Sequence, residues 1–249
     1  MIKLIRNPKP TQLTDQTVAD LVSEYKLNGS NVWSQTYIKL ALLELSKEKC
    51  CYCECNIKEE SKYMEVEHFL PKKYYPDLVV DWDNLLPSCK RCNLNKGEHD
   101  PNIEYIINPC IDDPKVHIAM KNYRLKSKDQ TGRNTIDVLY LNDTERLVQS
   151  RFMIGNNIHE SLEKISDNLS EYYQGISTST RRKNMVINGL KSLLRQGLPQ
   201  KDYAATVATV IINDDIFYWC KNILIELDFW DDEFSCLENS LLENCLELV

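Results

Sequence analysis

The sequence predicts an α+β protein whose small metal-bearing core lies between an N-terminal helical arm and a mainly helical C-terminal half. Three observations predict it. Two Cys-x-x-Cys knuckles bracket short strand-like segments, apolar residues before and after them recur at helical spacing, and no internal repeat or low-complexity linker interrupts the pattern. The expected divisions are an arm over residues 1–47, a core over 48–131 and a helical region over 132–249. With 249 residues, 43% hydrophobic and 27% charged, the chain has the composition of a globular protein, and seven glycines exclude a Gly-rich repeat.

In the arm, Val18, Leu21, Val22 and Tyr25 follow i, i+3, i+4, i+7 spacing, so residues 13–29 read as a helix capped by Thr14 or Asp15 and ended by Gly29. A second helix is expected over about 34–47, with Trp33, Tyr37, Ala41 and Leu45 along one side. Residues 64–70 alternate as a short strand, with Met64, Val66 and His68 on one face. Residues 78–80 offer a second strand, and Asp83 a cap for a turn or helix running to Lys96. A strand over 116–126 followed by a turn at 128–132 closes the core. Beyond it, Leu147, Ile154, Ile158, Leu162 and Ile165 mark one helix. Val186, Leu190, Leu193 and Leu194 mark another, stopped by Gly197 and Pro199, and residues 203–228 a third with a break near 213–215.

The longest apolar run, around 204–212, is far short of the roughly 18 residues that span a bilayer. The opening segment is too short an apolar stretch for a signal peptide and runs into prolines, so a cytoplasmic, non-membrane protein is expected. The formal net charge of −7 argues against coating nucleic acid by bulk attraction. Charge is nevertheless segregated: residues 172–201 hold six bases and no acid, whereas 222–249 hold eight acids and no base. These are either solvated helix faces or surfaces for a polyanion and a partner. Ten cysteines in a reducing compartment are expected as thiols.

Cys50-x-x-Cys53 and Cys89-x-x-Cys92, 35 residues apart, can each place two thiolates on one ion, which predicts a structural Zn²⁺. Cys51 and Cys55 are close enough in sequence to substitute. Such a core folds with its metal. No Gly-x-x-x-x-Gly-Lys-Ser/Thr loop occurs, so no nucleotide is expected on this chain itself. His68 is the candidate general base, because histidine titrates near neutrality, and activity is expected to fall as pH drops through about 6.5.

Between and beyond the knuckles stand Glu67-His68-Phe69-Leu70-Pro71-Lys72, Trp82-Asp83-Asn84-Leu85 and Cys92-Asn93-Leu94-Asn95-Lys96. In this order and spacing they resemble the HNH endonucleases, whose core is a zinc-stapled ββα-metal fold. The opening Ile5-Arg6-Asn7-Pro8-Lys9-Pro10 and the later Asn134-Thr135-Ile136-Asp137 resemble, more loosely, the nuclease subunits of the Septu anti-phage defence systems, the PtuB family.

The resemblance implies a metal-dependent endonuclease acting on duplex DNA of phage or plasmid, regulated by a PtuA-like ATPase subunit. It implies His68 as base, Asn84 as the residue that orients the imidazole or braces its loop, and Asn93 with Glu67 as ligands of a catalytic Mg²⁺ or Mn²⁺. Lys96 would contact phosphate, and His99 would donate to phosphate or replace a ligand. Glu67 and His68 point to opposite faces of a regular strand, so they share a site only where that strand ends or twists. An RNase of the same fold, or a non-catalytic zinc-binding interaction module, are the alternatives.

Overall fold

The computed structural model describes residues 1–58 and 63–249, and they divide into two compact units. The first comprises Met1–Ile118 and Lys126–Asn142, and the second Ala119–Leu125 and Asp143–Val249.

In the first unit, α1 (Asp15–Asn28) starts where the Thr14 side chain accepts from Thr17 N, and it ends at Gly29, whose φ of 71° is the left-handed conformation glycine adopts without strain. Helix α2 (Thr36–Leu45) buries Ile38, Leu42 and Leu45. Strand β1 (Met64–His68) pairs antiparallel with β2 (Leu85–Cys89), with Met64 opposite Cys89 and His68 opposite Leu85. Helix α3 (Lys90–Lys96) follows directly, with Cys89 as its N-cap. The core β-β-α unit is thus β1, β2 and α3.

Two local expectations are corrected here. Residues 78–80 are not a strand: Pro76–Leu78 forms a 3₁₀ turn, and Val79 and Val80 are buried beyond it. The second strand lies instead at Leu85–Cys89 despite Pro87, whose missing donor costs little in a two-stranded sheet and whose carbonyl accepts from Cys51 N at 2.9 Å. Asp83 caps nothing; Asp81 does, accepting from Asp83 N at the head of the 3₁₀ turn Trp82–Asn84.

The expected strand over 116–126 is in fact a short helix α4 (Pro114–His117) and a hairpin, β3 (Ile118–Lys121) and β4 (Arg124–Ser127). Its two-residue turn is Asn122 and Tyr123, both at positive φ (48° and 63°), as hairpin twist requires. Asp129 then caps α5 (Gln130–Val138), so residues 128–132 are the entry to a helix.

The second unit is helical. A π-turn at Thr144–Val148 leads into α6 (Gln149–Tyr173), followed by α7 (Thr180–Arg195), α8 (Ala204–Ile212), α9 (Asp215–Glu226) and α10 (Asp232–Asn244). The expected break at 213–215 is the α8–α9 junction, where Asp214 caps α9. Leu162, Leu190, Leu194, Phe217, Cys220, Leu224, Phe234 and Leu241 form its core. The two charge blocks meet inside this unit, where Lys191 pairs with Asp231 and Glu233 and Arg195 with Glu233; Glu238 is paired at 2.6 Å by Lys221, from outside the basic block. Two of the six bases and two of the eight acids are therefore paired with each other within the fold. No helix among the described residues is long and apolar enough to cross a membrane.

Candidate active site and zinc centre

The Sγ atoms of Cys50, Cys53, Cys89 and Cys92 all lie within 4.8 Å of one another. Zn–S bonds of about 2.3 Å put tetrahedral sulfurs roughly 3.8 Å apart, and Cys53 and Cys89 stand 3.7 Å apart. The donor set therefore fits Zn²⁺. The first knuckle is shaped by Cys50 N donating to Cys55 O and Glu54 N to Cys50 O, with Glu54 at a φ of 64°. In the second, Cys92 N donates to Cys89 Sγ at 3.5 Å. The Arg91 guanidinium, 3.9 Å from Cys92 Sγ, offsets part of the charge of four thiolates. Cys55 stands beside the four, its Sγ 3.5 Å from that of Cys53, while the Cys51 thiol is buried and its own burial pushes its pKa up.

Strand β1 borders a cleft of about 640 Å³, lined among others by Glu67, His68 and Asn93, with Trp33, Lys39 and Lys72. His68 is buried, with its ring edge-on to Trp33 at 4.9 Å between centroids. Its Nε2 lies 2.9 Å from the Val79 carbonyl. A carbonyl only accepts, so Nε2 carries the proton and Nδ1 the lone pair. Burial pushes the imidazole pKa down to about 4, which keeps the ring neutral. That corrects the expected titration near 6.5, which holds for a solvated imidazole.

Asn84 holds the backbone that holds His68. Its Oδ1 accepts from Leu70 N at 2.7 Å, and its Nδ2 donates to Leu70 O and Leu78 O, both at 3.1 Å. These bonds close the loop over 70–78, immediately before the Val79 carbonyl. Of the two expected roles, bracing the loop is the one the geometry displays.

Glu67 and Lys96 differ from expectation. Lys96 is fully buried, its ammonium donating to His68 O at 2.8 Å and lying 2.7 Å from Glu67 Oε1. It therefore does not face phosphate; it ties α3 to β1. The ion pair lacks hydrogen-bond alignment, so Glu67 Oε1 remains a buried oxygen without an aligned donor. Burial raises the Glu67 pKa to about 7 against the pull of Lys96. The Glu67 carboxylate and the half-buried amide of Asn93 both border the cleft, and their hard-oxygen donors are of the kind that suits Mg²⁺ or Mn²⁺. The strand runs to His68 with Glu67 and His68 on alternate sides, yet both border the cleft, which runs along the whole of β1 from Met64 to His68.

His99 is turned elsewhere. Its Nε2 meets Glu104 O at 2.7 Å, and it lines a separate surface depression with Tyr74 and Asp100. The cleft's available cations are instead Lys39 and Lys72, the latter 4.9 Å above the Trp33 ring; Lys73, also on the rim, is paired with Glu98. Sequence reasoning did not single out Lys39 or Lys72, although Lys72 closes the Glu-His-x-x-Pro-Lys string.

A four-sulfur cluster stapling a β-β-α unit, with His68 at the end of its first strand, is the architecture of an HNH endonuclease domain, and the HNH endonuclease family model matches residues 50–99. Over 246 residues the chain is 48% identical to a Septu protein PtuB of Bacillus thuringiensis, covering 99% of this chain and 95% of the relative. It belongs to the Septu PtuB family. A Septu protein PtuB of Bacillus mycoides (strain KBAB4) is 31% identical over 166 residues, 53% of this chain and 56% of that one. Protein ea31 of Escherichia phage lambda is 36% identical over 76 residues, covering 30% of this chain and 24% of the phage protein. No solved structure matches the chain.

Proposed function

We propose that this chain is a metal-dependent HNH endonuclease that hydrolyses phosphodiester bonds of duplex DNA as the effector of an anti-phage defence complex. The carrying observation is the neutral His68, held by Val79 O with Nδ1 as its basic nitrogen, on the cleft that Glu67 and Asn93 also line. His68 Nδ1 takes the proton of the attacking water, while the Val79 carbonyl stabilises the Nε2–H as the ring becomes cationic. Glu67 and Asn93 would hold Mg²⁺ or Mn²⁺, which supplies charge stabilisation on the phosphate and the leaving oxygen. Lys39 and Lys72 supply the phosphate contact first given to Lys96, and Asn84 and Lys96 act through the backbone around His68. Zn²⁺ on the four cysteines is architectural.

Membership of the PtuB family supports regulation by an ATPase subunit of the PtuA type, and we assign partner binding to the helical half over 132–249. The test is nicking of supercoiled plasmid by the chain co-purified with that ATPase, with Mg²⁺ or Mn²⁺, with and without chelator, beside single-stranded RNA. His68→Ala should keep zinc and fold and lose nicking. Cleavage by that variant would remove His68 from the mechanism, and faster cleavage of RNA would move the substrate to RNA.

A further inference from the structure

We propose that Arg6, which lies 44 residues before the matched HNH region, is a positioning residue for the nuclease site, clamping the turn that carries Asn84. Its Nη1 donates to Trp82 O at 2.8 Å and to Leu85 O at 2.7 Å, and its Nη2 to Asp83 O at 3.2 Å. Three of the four backbone carbonyls over 82–85 thus converge on one guanidinium, and the fourth, Asn84 O, accepts from Phe69 N at 2.9 Å. The turn is a single 3₁₀ turn leading straight into β2; Leu85 N donates to Trp82 O within it, and the Arg6 fork adds donors to Trp82 O, Asp83 O and Leu85 O from outside it. The clasp is reciprocal: Arg6 lies 5.6 Å above the Trp82 ring, and Trp82 Nε1 donates back to Asn7 O at 2.9 Å. The Asp83 carboxylate, 3.9 Å from Nε and 88% exposed, adds little to this.

From the turn, the bonds run on to the base. Asn84 fixes Leu70 and Leu78, and Val79 beyond them fixes His68 Nε2. A planar five-donor fork suits three divergent carbonyls, whereas a lysine ammonium on a single stem cannot meet all three in plane. Losing the clamp lets the Asn84 turn shift, and a displacement of about 1 Å at a base is enough to cost about a hundredfold in rate.

This inference rests on the nuclease reading for its kinetic arm only. The test compares wild type, Arg6→Gln and Arg6→Lys in the complex with the ATPase subunit. The measurements are zinc content, melting temperature, kcat and KM for plasmid nicking, and the ¹⁵N signals of the His68 imidazole assigned with His68→Gln. We expect Arg6→Gln to retain zinc and to lose about tenfold to a hundredfold in kcat, with KM within about twofold. Arg6→Lys should recover part of that loss, and the His68 Nε2–H signal should shift or broaden in proportion. Unchanged His68 signals in Arg6→Gln would overturn the proposal, as would an activity loss that merely tracks zinc or melting temperature. Absence of metal-dependent nicking in the wild type would sink the nuclease reading separately, leaving the imidazole spectrum to decide on Arg6.

Discussion

Acidification separates a buried catalytic imidazole from a solvated one by a large factor. With a pKa of about 4, His68 is about one-tenth protonated at pH 5, whereas an ordinary imidazole of pKa about 6.5 would be about 97% protonated there. Single-turnover nicking at pH 5 should therefore retain about 90% of its plateau rate, not about 3%, a thirtyfold difference between the two cases. The measurement is a pH series from 4.5 to 8 at saturating Mg²⁺, with zinc content checked at each pH. Glu67 must be separated from His68 in it. Its carboxyl, raised to about 7 by burial, gains a proton on acidification and loses its value as a metal ligand. A fall below pH 7 that disappears as Mg²⁺ is raised belongs to Glu67. The sign of the stability linkage for His68 is also fixed. Its folded pKa is depressed, so the stability present above about 6.5 is lost as pH falls through about 4, in total about 3 kcal/mol. A fall centred near pH 6.5, at saturating metal and full zinc, would refute a desolvated base.

Replacing Lys96 by Met removes the charge that compensates a fully buried carboxylate, at a cost that reaches about 3–5 kcal/mol only where Glu67 is forced to stay ionised. Because the Glu67 pKa is raised, the carboxyl is neutral below about 4.5 in both folded and unfolded chains, and the loss sets in as pH rises through about 7. Urea unfolding should accordingly show a penalty on the order of 1 kcal/mol at pH 5, where only the hydrogen bond to His68 O is missing, and one larger by up to about 1.4 kcal/mol at pH 8, one pH unit above the Glu67 pKa. Equal penalties at both pH values would contradict the pairing. Cys89→Ser removes a thiolate ligand while its hydroxyl can still cap α3, so the loss reads on the metal alone: elemental analysis should find less than one zinc per chain and the protein should turn insoluble. Full zinc in that variant would point to Cys55 as a substitute ligand.

The knuckles, the strand before His68 and the caps of α1 were legible because each is a local pattern. Two thiols at i and i+3 face one ion, and Thr14 and Gly29 sit where orphan backbone groups need them. The second strand was missed because Leu78, Val79 and Val80 look more strand-like than a segment containing Pro87. Pairing chose the segment that delivers Cys89 opposite Met64. The hairpin at 118–127 was hidden by Tyr123, a residue that seldom advertises positive φ. A tail-deletion test of residues 222–249, natural on the sequence alone, would fail on structural grounds, because Phe234, Leu237 and Leu241 are core. Charge reversal at exposed acids is the sounder test of partner binding.

Lys96 is the instructive error, since its placement was available in the sequence. Cys92 and Lys96 stand at i and i+4 and therefore share one face of α3. Cys92 must turn inward to join the sulfur cluster, so Lys96 one turn later must also turn inward, where only a carboxylate can offset an ammonium. Glu67 is that carboxylate, and the same geometry explains why its pKa stays near 7 rather than higher: the lysine supports an ionised ligand that burial alone would neutralise. In the proposed nuclease reading the phosphate-facing cation would come from the cleft's rim, where Lys72 lies four residues past His68 and above Trp33. One constraint, four sulfurs around one ion, thus orients α3 and buries Lys96 against Glu67, while the arm brings Trp33 against the His68 ring and Arg6 onto the turn that carries Asn84.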